Sequence, residues 1–307
     1  MIPLKVGYQE QAILSSMDFI AKENGIFAKR NLDVTMIPNK SGQNAVAALL
    51  RGDIDSAYGP QGNTVTALSQ GECLQTLTSG HGNIVNIVAR PGLPLPSKKS
   101  DTFPGGLADL SGKKVGVSSL GGATDRNTRL VLKAGGADVD SITFIAVGVG
   151  ATAVTALQQG EVDAMASFPP GDQLFNAGDF QYVVNLVENP EKSPLAAVII
   201  SSPVMTCDFI QKNENAAMAY CKAQWDAWDF AADPANNEAV ARSLAKYLSL
   251  DAAKALKMWE QYRSTFQDAA LTPEAWAKQS QYNAADQQQP LDYAKTVYAP
   301  CAASDPR

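Results

Sequence analysis

The chain has 307 residues, 45% of them hydrophobic and 18% charged, with a formal net charge of −6. That length buries a sizeable core and divides most naturally into two units. No apolar run is long enough to span a bilayer and no basic cluster is interleaved with aromatics, which argues against a membrane span and against a nucleic-acid partner.

In chain order, "LKVGY" reads as a first strand, "DFIAKENGIFAKRN" as one helix and "DVTMIP" as a second strand. The helix "GQNAVAALLRG" and the strand "IDSAYG" follow, then the helix "NTVTALSQG", and "LQTLTSG" leads into another strand. After "NIVNIVA" the pattern breaks into "RPGLPLPSKKSDTFPGG", a connector rich in Pro, Gly, Ser and Lys. The order then restarts with the strand in "DLSGKKVGVSS", the helix "TDRNTRLVLKAGG" and the strand "SITFIAV". From Asp208 onward the text is helical, and "TPEAW" opens a helix with Thr272 as N-cap and Pro273 at the first helical position.

The restart is a repeat. "AVAALLRGDIDSAYGP" begins at Ala45, and its worn copy "AVTALQQGEVDAMASF" begins at Ala153, 108 positions later. A Lys-Val-Gly strand recurs at nearly the same offset, at Lys5 and Lys114. A solenoid would need a shorter period and at least three copies, so the expectation is two similar α/β lobes. Ala45, Ala48 and Leu49, with Ala153, Ala156 and Leu157, form the stripe of a helix lying on a sheet. Gly52 and Gly160 stand where a helix ends in the left-handed conformation. Asp55 and Asp163 recur at the start of a strand, which points to turn or cap chemistry rather than catalysis.

Ligands of open parallel α/β sheets sit beyond the carboxyl ends of the strands. That singles out Tyr58 to Gln61 in one copy and Ser167 to Pro170 in the other. The four cysteines, Cys73, Cys207, Cys221 and Cys301, lie far apart, with no CxxC pair and a single histidine in the chain. Their even number permits disulfides without giving a pairing, buried thiols are equally compatible, and no metal site is expected.

The order "LKVGYQ", "ALLRGDIDSAYGP", "DLSGKKVGVSS", "LGGATD", "ALQQGEVDAMASF" resembles the solute-binding proteins of ABC importers for sulfonates, taurine and nitrate, a group that includes binders of a thiamine pyrimidine precursor. The resemblance covers roughly residues 4–230. It implies the two-lobed periplasmic-binding-protein type II fold, each lobe a sheet flanked by helices, with extra C-terminal helices on lobe one. Lobe one is expected at residues 1–89 and 202–307 and lobe two at 90–201, with "RPGLPLPSKKS" and "AAVIISSPV" containing or flanking the crossings. It also implies a periplasmic monomer with its signal peptide removed, a membrane ABC permease as partner, no cofactor, and hinge closure over a small organic anion.

The expected ligand contacts fall on loops. In lobe two, Ser118, Ser119, Gly122, Ala123 and Thr124 run from a strand into a helix, where free backbone N–H groups favour an oxyanion. The loop lacks the Gly-Lys-Ser/Thr ending of a nucleotide P-loop. Lobe one offers Gln9 and Gln11 after the first strand, Tyr58 and Gln61 after the repeat strand, and His81 in "TSGHGN". Phe168 stands where many relatives carry an aromatic residue. Relatives for sulfonates often continue as Trp-Asp-Pro where this chain has Phe168-Pro169-Pro170, and no arginine is assigned to the site. A neutral heterocycle is therefore the alternative ligand, and a ligand-sensing module the alternative role. An enzyme lacks support: there is no Gly-x-Ser-x-Gly elbow, no metal cluster, and no Cys-rich motif of the pyrimidine-synthase relatives.

Overall fold

The computed structural model describes residues 1–176, 178–188, 192–196, 198–266, 269–277, 291–302 and 305–307. The chain forms two compact units, Met1–Gly82 with Val198–Arg307, and Asn83–Ala197. The first begins with β1 (Ile2–Gln9), a 3-10 turn (Ile13–Ser15), α1 (Ser16–Glu23), α2 (Ile26–Lys29) and β2 (Leu32–Asn39). It continues through α3 (Gly42–Arg51), β3 (Ser56–Pro60), α4 (Gln61–Ser69) and β4 (Leu74–Thr76). The predicted helix "DFIAKENGIFAKRN" is two helices, because Gly25 turns left-handed at φ 69° between them.

The second unit holds β5 (Asn86–Ala89), β6 (Lys114–Val117), α5 (Ala123–Ala134), β7 (Thr143–Ala146), α6 (Ala151–Gln158), β8 (Ala164–Ser167), α7 (Gly171–Leu174) and β9 (Gln181–Val184). The chain then returns to the first unit with β10 (Ser201–Thr206), α8 (Cys207–Lys212), α9 (Glu214–Ala232), α10 (Asn237–Leu248) and α11 (Ala252–Tyr262).

Both sheets have five strands in one plan, β2-β1-β3-β10-β4 and β7-β6-β8-β5-β9. In each, three parallel strands are followed by one antiparallel strand, β10 against β3 or β5 against β8. The odd strand comes from the segment that leads the chain out of the other unit. This corrects the expected boundaries. β5 pairs with β8 and β9, so residues 83–89 belong to the second unit. The "RPGLPLPSKKS" stretch does not contain the outgoing crossing but lies a few residues inside that unit, where Lys98 donates from Nζ to the carbonyl of Tyr182, whereas "AAVIISSPV" does contain the return at Ala197–Val198.

The repeat has a physical cause in each unit. The stripes Ala45, Ala48, Leu49 and Ala153, Ala156, Leu157 are buried in matching core clusters. Gly52 and Gly160 take φ of 76° and 74°, where a Cβ would be strained. Asp55 accepts the backbone N–H of Lys5 at 2.7 Å, and Asp163 that of Lys114 at 3.1 Å. The repeated aspartates thus clamp the third parallel strand to the first, the strand that carries the Lys-Val-Gly phrase in each unit.

The C-terminal helices are fastened to the first unit by a buried polar knot. Oδ1 of Asp18 on α1 accepts from the Tyr220 hydroxyl and from Nε2 of Gln224, both on α9 and both at 2.7 Å. Gln224 in turn accepts from the Tyr58 hydroxyl at 3.1 Å. Burial pushes the Asp18 carboxyl up to about 7, against the two donors that pull it down. Thr272 does cap its helix, accepting the N–H of Ala275 at 3.2 Å.

All four cysteines are paired, Cys73 with Cys207 and Cys221 with Cys301, and both bridges lie in the first unit. They close loops of 134 and 80 residues. A Cys221→Ser, Cys301→Ser double variant is expected to lose about 2–4 kcal/mol of unfolding free energy in urea melts. Reduction by thiol should lower the melting temperature of the wild type toward that of the variant.

Candidate functional site

The carboxyl end of the first sheet gathers four polar residues along one edge. Gln9 ends β1 and Gln61 opens α4 directly after β3. Ser201 begins β10, pairing with Pro60 on one side and bridging to His81 on the other. Ile200 ties the row together: its N–H donates to the carbonyl of His81 at 2.7 Å, and its carbonyl accepts the N–H of Gln61 at 2.9 Å. Gly80 makes this approach feasible, since a Cβ there would stand 1.9 Å from the Ser201 carbonyl oxygen.

Gln61, His81 and Ser201 are buried, at 1%, 1% and 0% exposure. None of their side-chain polar atoms has a hydrogen-bond partner among the described residues. Buried polar atoms in folded proteins are nearly always satisfied, so this edge stands out. Burial pushes the His81 imidazole down to about 3. The backbone of Leu14 and Ile13 counters this in part, without closing a hydrogen bond of ordinary geometry on either ring nitrogen. The imidazole is therefore neutral, with one donor and one acceptor. It packs 4.0 Å from the Phe266 ring, which also meets Trp228 and Trp259 edge-on at 5.8 and 4.8 Å. Two of the four tryptophans are thus coupled to the histidine through one ring, a link that sequence position concealed.

Tyr58 does not follow its strand as expected. It lies within β3 at 1% exposure, with its hydroxyl spent on Gln224 in the Asp18 knot, so it serves the attachment of α9. Gln11 has a positive φ of 51° in the turn after β1 and is partly exposed.

In the second unit, Ser118 and Ser119 follow β6 half-buried, and Gly122 is the N-cap of α5. Gly122, Ala123 and Thr124 bring the helix N-terminus to the carboxyl end of the sheet, the arrangement expected from sequence. The loop contains one group that the sequence reading missed. Oδ2 of Asp125 accepts the N–H of Gly121 at 2.8 Å, while its Oδ1 accepts from Nε of Arg129 at 2.7 Å. One of the loop's donors is thus already turned to a carboxylate of the chain itself. The i to i+4 spacing of Gly121 and Asp125 was the available signal. Arg129 also lies 3.7 Å over the Phe144 ring, which fixes it on the helix flank. At the neighbouring strand end, Phe168 is half-buried beside a cavity of about 10 Å³ shared with Gly148, Gly150 and Ser167. The Ser167 hydroxyl donates to Asp172 at 2.5 Å. Among the described residues no group of three or more His, Cys, Asp or Glu side chains is placed to hold a metal.

Two α/β units with matching sheets, joined by two exchanged strands, define the periplasmic-binding-protein fold. Residues 2–245 match the model of the NMT1-like family, and the chain belongs to that family. A Brucella abortus protein named as a candidate binding protein is 27% identical over 256 residues, 82% of this chain and 73% of its own. A structure from Bordetella bronchiseptica superposes with a TM-score of 0.79 at 23% identity, covering 99% of this chain and 95% of that one. The periplasmic aliphatic sulphonate binding protein of Escherichia coli gives 0.74 at 19% identity, covering 98% and 99%.

Two buried ionisable groups of the first unit, Asp18 and His81, pull stability in opposite directions between about pH 3 and pH 7. Asp18, raised to about 7, keeps in the folded state a proton that the unfolded chain releases, so its contribution falls as pH rises from about 4 to 7. His81, lowered to about 3, lacks when folded a proton that the unfolded chain binds, so its contribution rises with pH between about 3 and 6.5. Urea melts from pH 4 to 8 are expected to separate them. The stability of Asp18→Asn relative to wild type should climb with pH across that window, and that of His81→Gln should decline.

Proposed function

We propose that the protein is an extracytoplasmic solute-binding component of an ABC importer, a non-catalytic capture protein for a small organic anion. The observation that carries this reading is the duplicated strand-end edge, present in both units and lined in the first by the buried, unpartnered polar groups of Gln61 and Ser201. The capture step is binding at these edges, followed by closure of the lobes and delivery of the loaded form to a membrane permease. Family membership supports it, as does the E. coli neighbour, whose own name records sulphonate binding. Two disulfides favour an oxidising compartment, since such bonds are rare where thiols are kept reduced.

On this reading the anion's acid head lies at Gly122 to Thr124, where the first amides of α5 have no acceptor within the helix. The Asp125 carboxylate favours a second reading, a neutral ligand, because it already occupies one donor of this loop and repels a further negative charge. The His81 and Gln61 edge fits either reading, as it carries no charge.

A thermal-shift panel of alkyl and aryl sulfonates, taurine, nitrate, aromatic carboxylates and aminopyrimidines separates the two. A ligand at a hundred times its dissociation constant stabilises by about 2.7 kcal/mol. A sulfonate or carboxylate is the expected hit. Gly122→Asp should then weaken it about a hundredfold, by close-range charge repulsion, while the apo melting temperature stays unchanged. Anion binding that survives Gly122→Asp would remove the α5 loop from the site, and hits confined to uncharged compounds would establish the neutral reading.

A further inference from the structure

The first unit's strand-end edge has a hydrogen-bonding character that narrows what it accepts. Gln61 offers one carboxamide with both Nε2 and Oε1 unpartnered among the described residues, at 1% exposure. His81 offers at 1% exposure two ring nitrogens that close no hydrogen bond of ordinary geometry, the Leu14 and Ile13 backbone being their polar neighbours, and Ser201 offers a hydroxyl at 0%. The three stand on neighbouring segments, with Ser201 bridged to His81 and paired with Pro60, the residue before Gln61. No residue of the row Gln9, Gln61, Ser201, His81 carries a formal charge at neutral pH.

Each member of the set is a donor and an acceptor at once. A carboxylate would satisfy the Gln61 amine and the imidazole N–H, but would turn its remaining lone pairs on the Gln61 carbonyl and the bare ring nitrogen. An ammonium would satisfy the acceptors and strand the donors. A group with a C=O beside an N–H satisfies both kinds, and it needs no counter-charge in a buried place where an unpaired charge is costly.

We propose that Gln61, His81 and Ser201 form a subsite for an uncharged amide-type group, a carboxamide or ureide, carried by the ligand in addition to its acid group. The assignment rests on the solute-binding reading above. Specificity between acids that share a head group is then set here, by the second polar group of the ligand.

His81 is the only histidine in the chain, so labelling histidine with ¹⁵N places a single imidazole reporter in the subsite. The labelled protein is titrated at pH 7 with acetamide and separately with acetate. Acetamide is expected to move the ring nitrogen resonances saturably, and acetate to act at least about tenfold more weakly. Gln61→Met keeps the length and removes the amide. It should weaken the acetamide response at least about tenfold, with a melting temperature equal to or above that of the wild type. Acetate binding as tight as acetamide overturns the assignment, and so does an imidazole that ignores acetamide at concentrations approaching molar. If Gln61→Met fails to fold, the acetamide-against-acetate comparison in the wild type still decides. Failure here with an acid hit in the thermal-shift panel sinks the subsite alone. Silence in both sinks the solute-binding reading itself.

Discussion

The first unit depends on one antiparallel strand. β10 enters between β3 and β4, and without it the three parallel strands would end in an open edge and β4 would be left with only its bridge to Val297. Its first residue sets Ser201 between Pro60 and His81, which builds the polar edge. Its last leads directly into Cys207, bridged to Cys73 at the start of β4, and so into the helices that the Asp18 knot holds. Gly80 is the local condition for all of this, because any side chain there would meet the Ser201 carbonyl. Sheet, site and C-terminal helices are therefore one construction, not three.

What the sequence disclosed was what is local or repeated. The stripe on α3 and α6 and the left-handed Gly52 and Gly160 follow from contacts within one helix-turn-strand phrase and its copy, whereas Asp55 and Asp163, expected as turn or cap residues, instead clamp a strand about 50 positions away. The α5 loop was legible for the same reason, as a strand running into a helix through small residues. What stayed hidden depends on distant partners. Tyr58 looks like a strand-end residue until Gln224, 166 positions away, claims its hydroxyl. The return crossing does fall within "AAVIISSPV", but the outgoing one was placed too late because "RPGLPLPSKKS" has the composition of a linker, whereas the departure near Gly82 carries no such mark. The buried state of Gln61 and His81 is likewise a property of the pairing with β10, which no local pattern announces.

The two strand-end edges, equivalent by topology, differ in their electrostatics. That of the first unit is uncharged, with its one ionisable group held neutral by burial. That of the second carries a helix N-terminus whose positive end is partly met by Asp125, itself held by Arg129 over Phe144. The duplicated architecture therefore supplies the backbone frame, and the few substitutions at the loops supply the chemistry. Such a division lets one frame serve many ligands.

The exchanged strands also divide the chain unequally between the units. The second unit is a single stretch, Asn83–Ala197, with no strand taken from elsewhere in the chain. The first unit is split, because its fourth strand and its α9 anchor lie beyond residue 200. Without that later stretch residues 1–82 form a sheet fragment with an unprotected margin, and Cys73 has no native mate. The middle of the chain thus carries a unit whose strands are all its own, while the opening segment shares its sheet with a strand that comes more than 100 residues later.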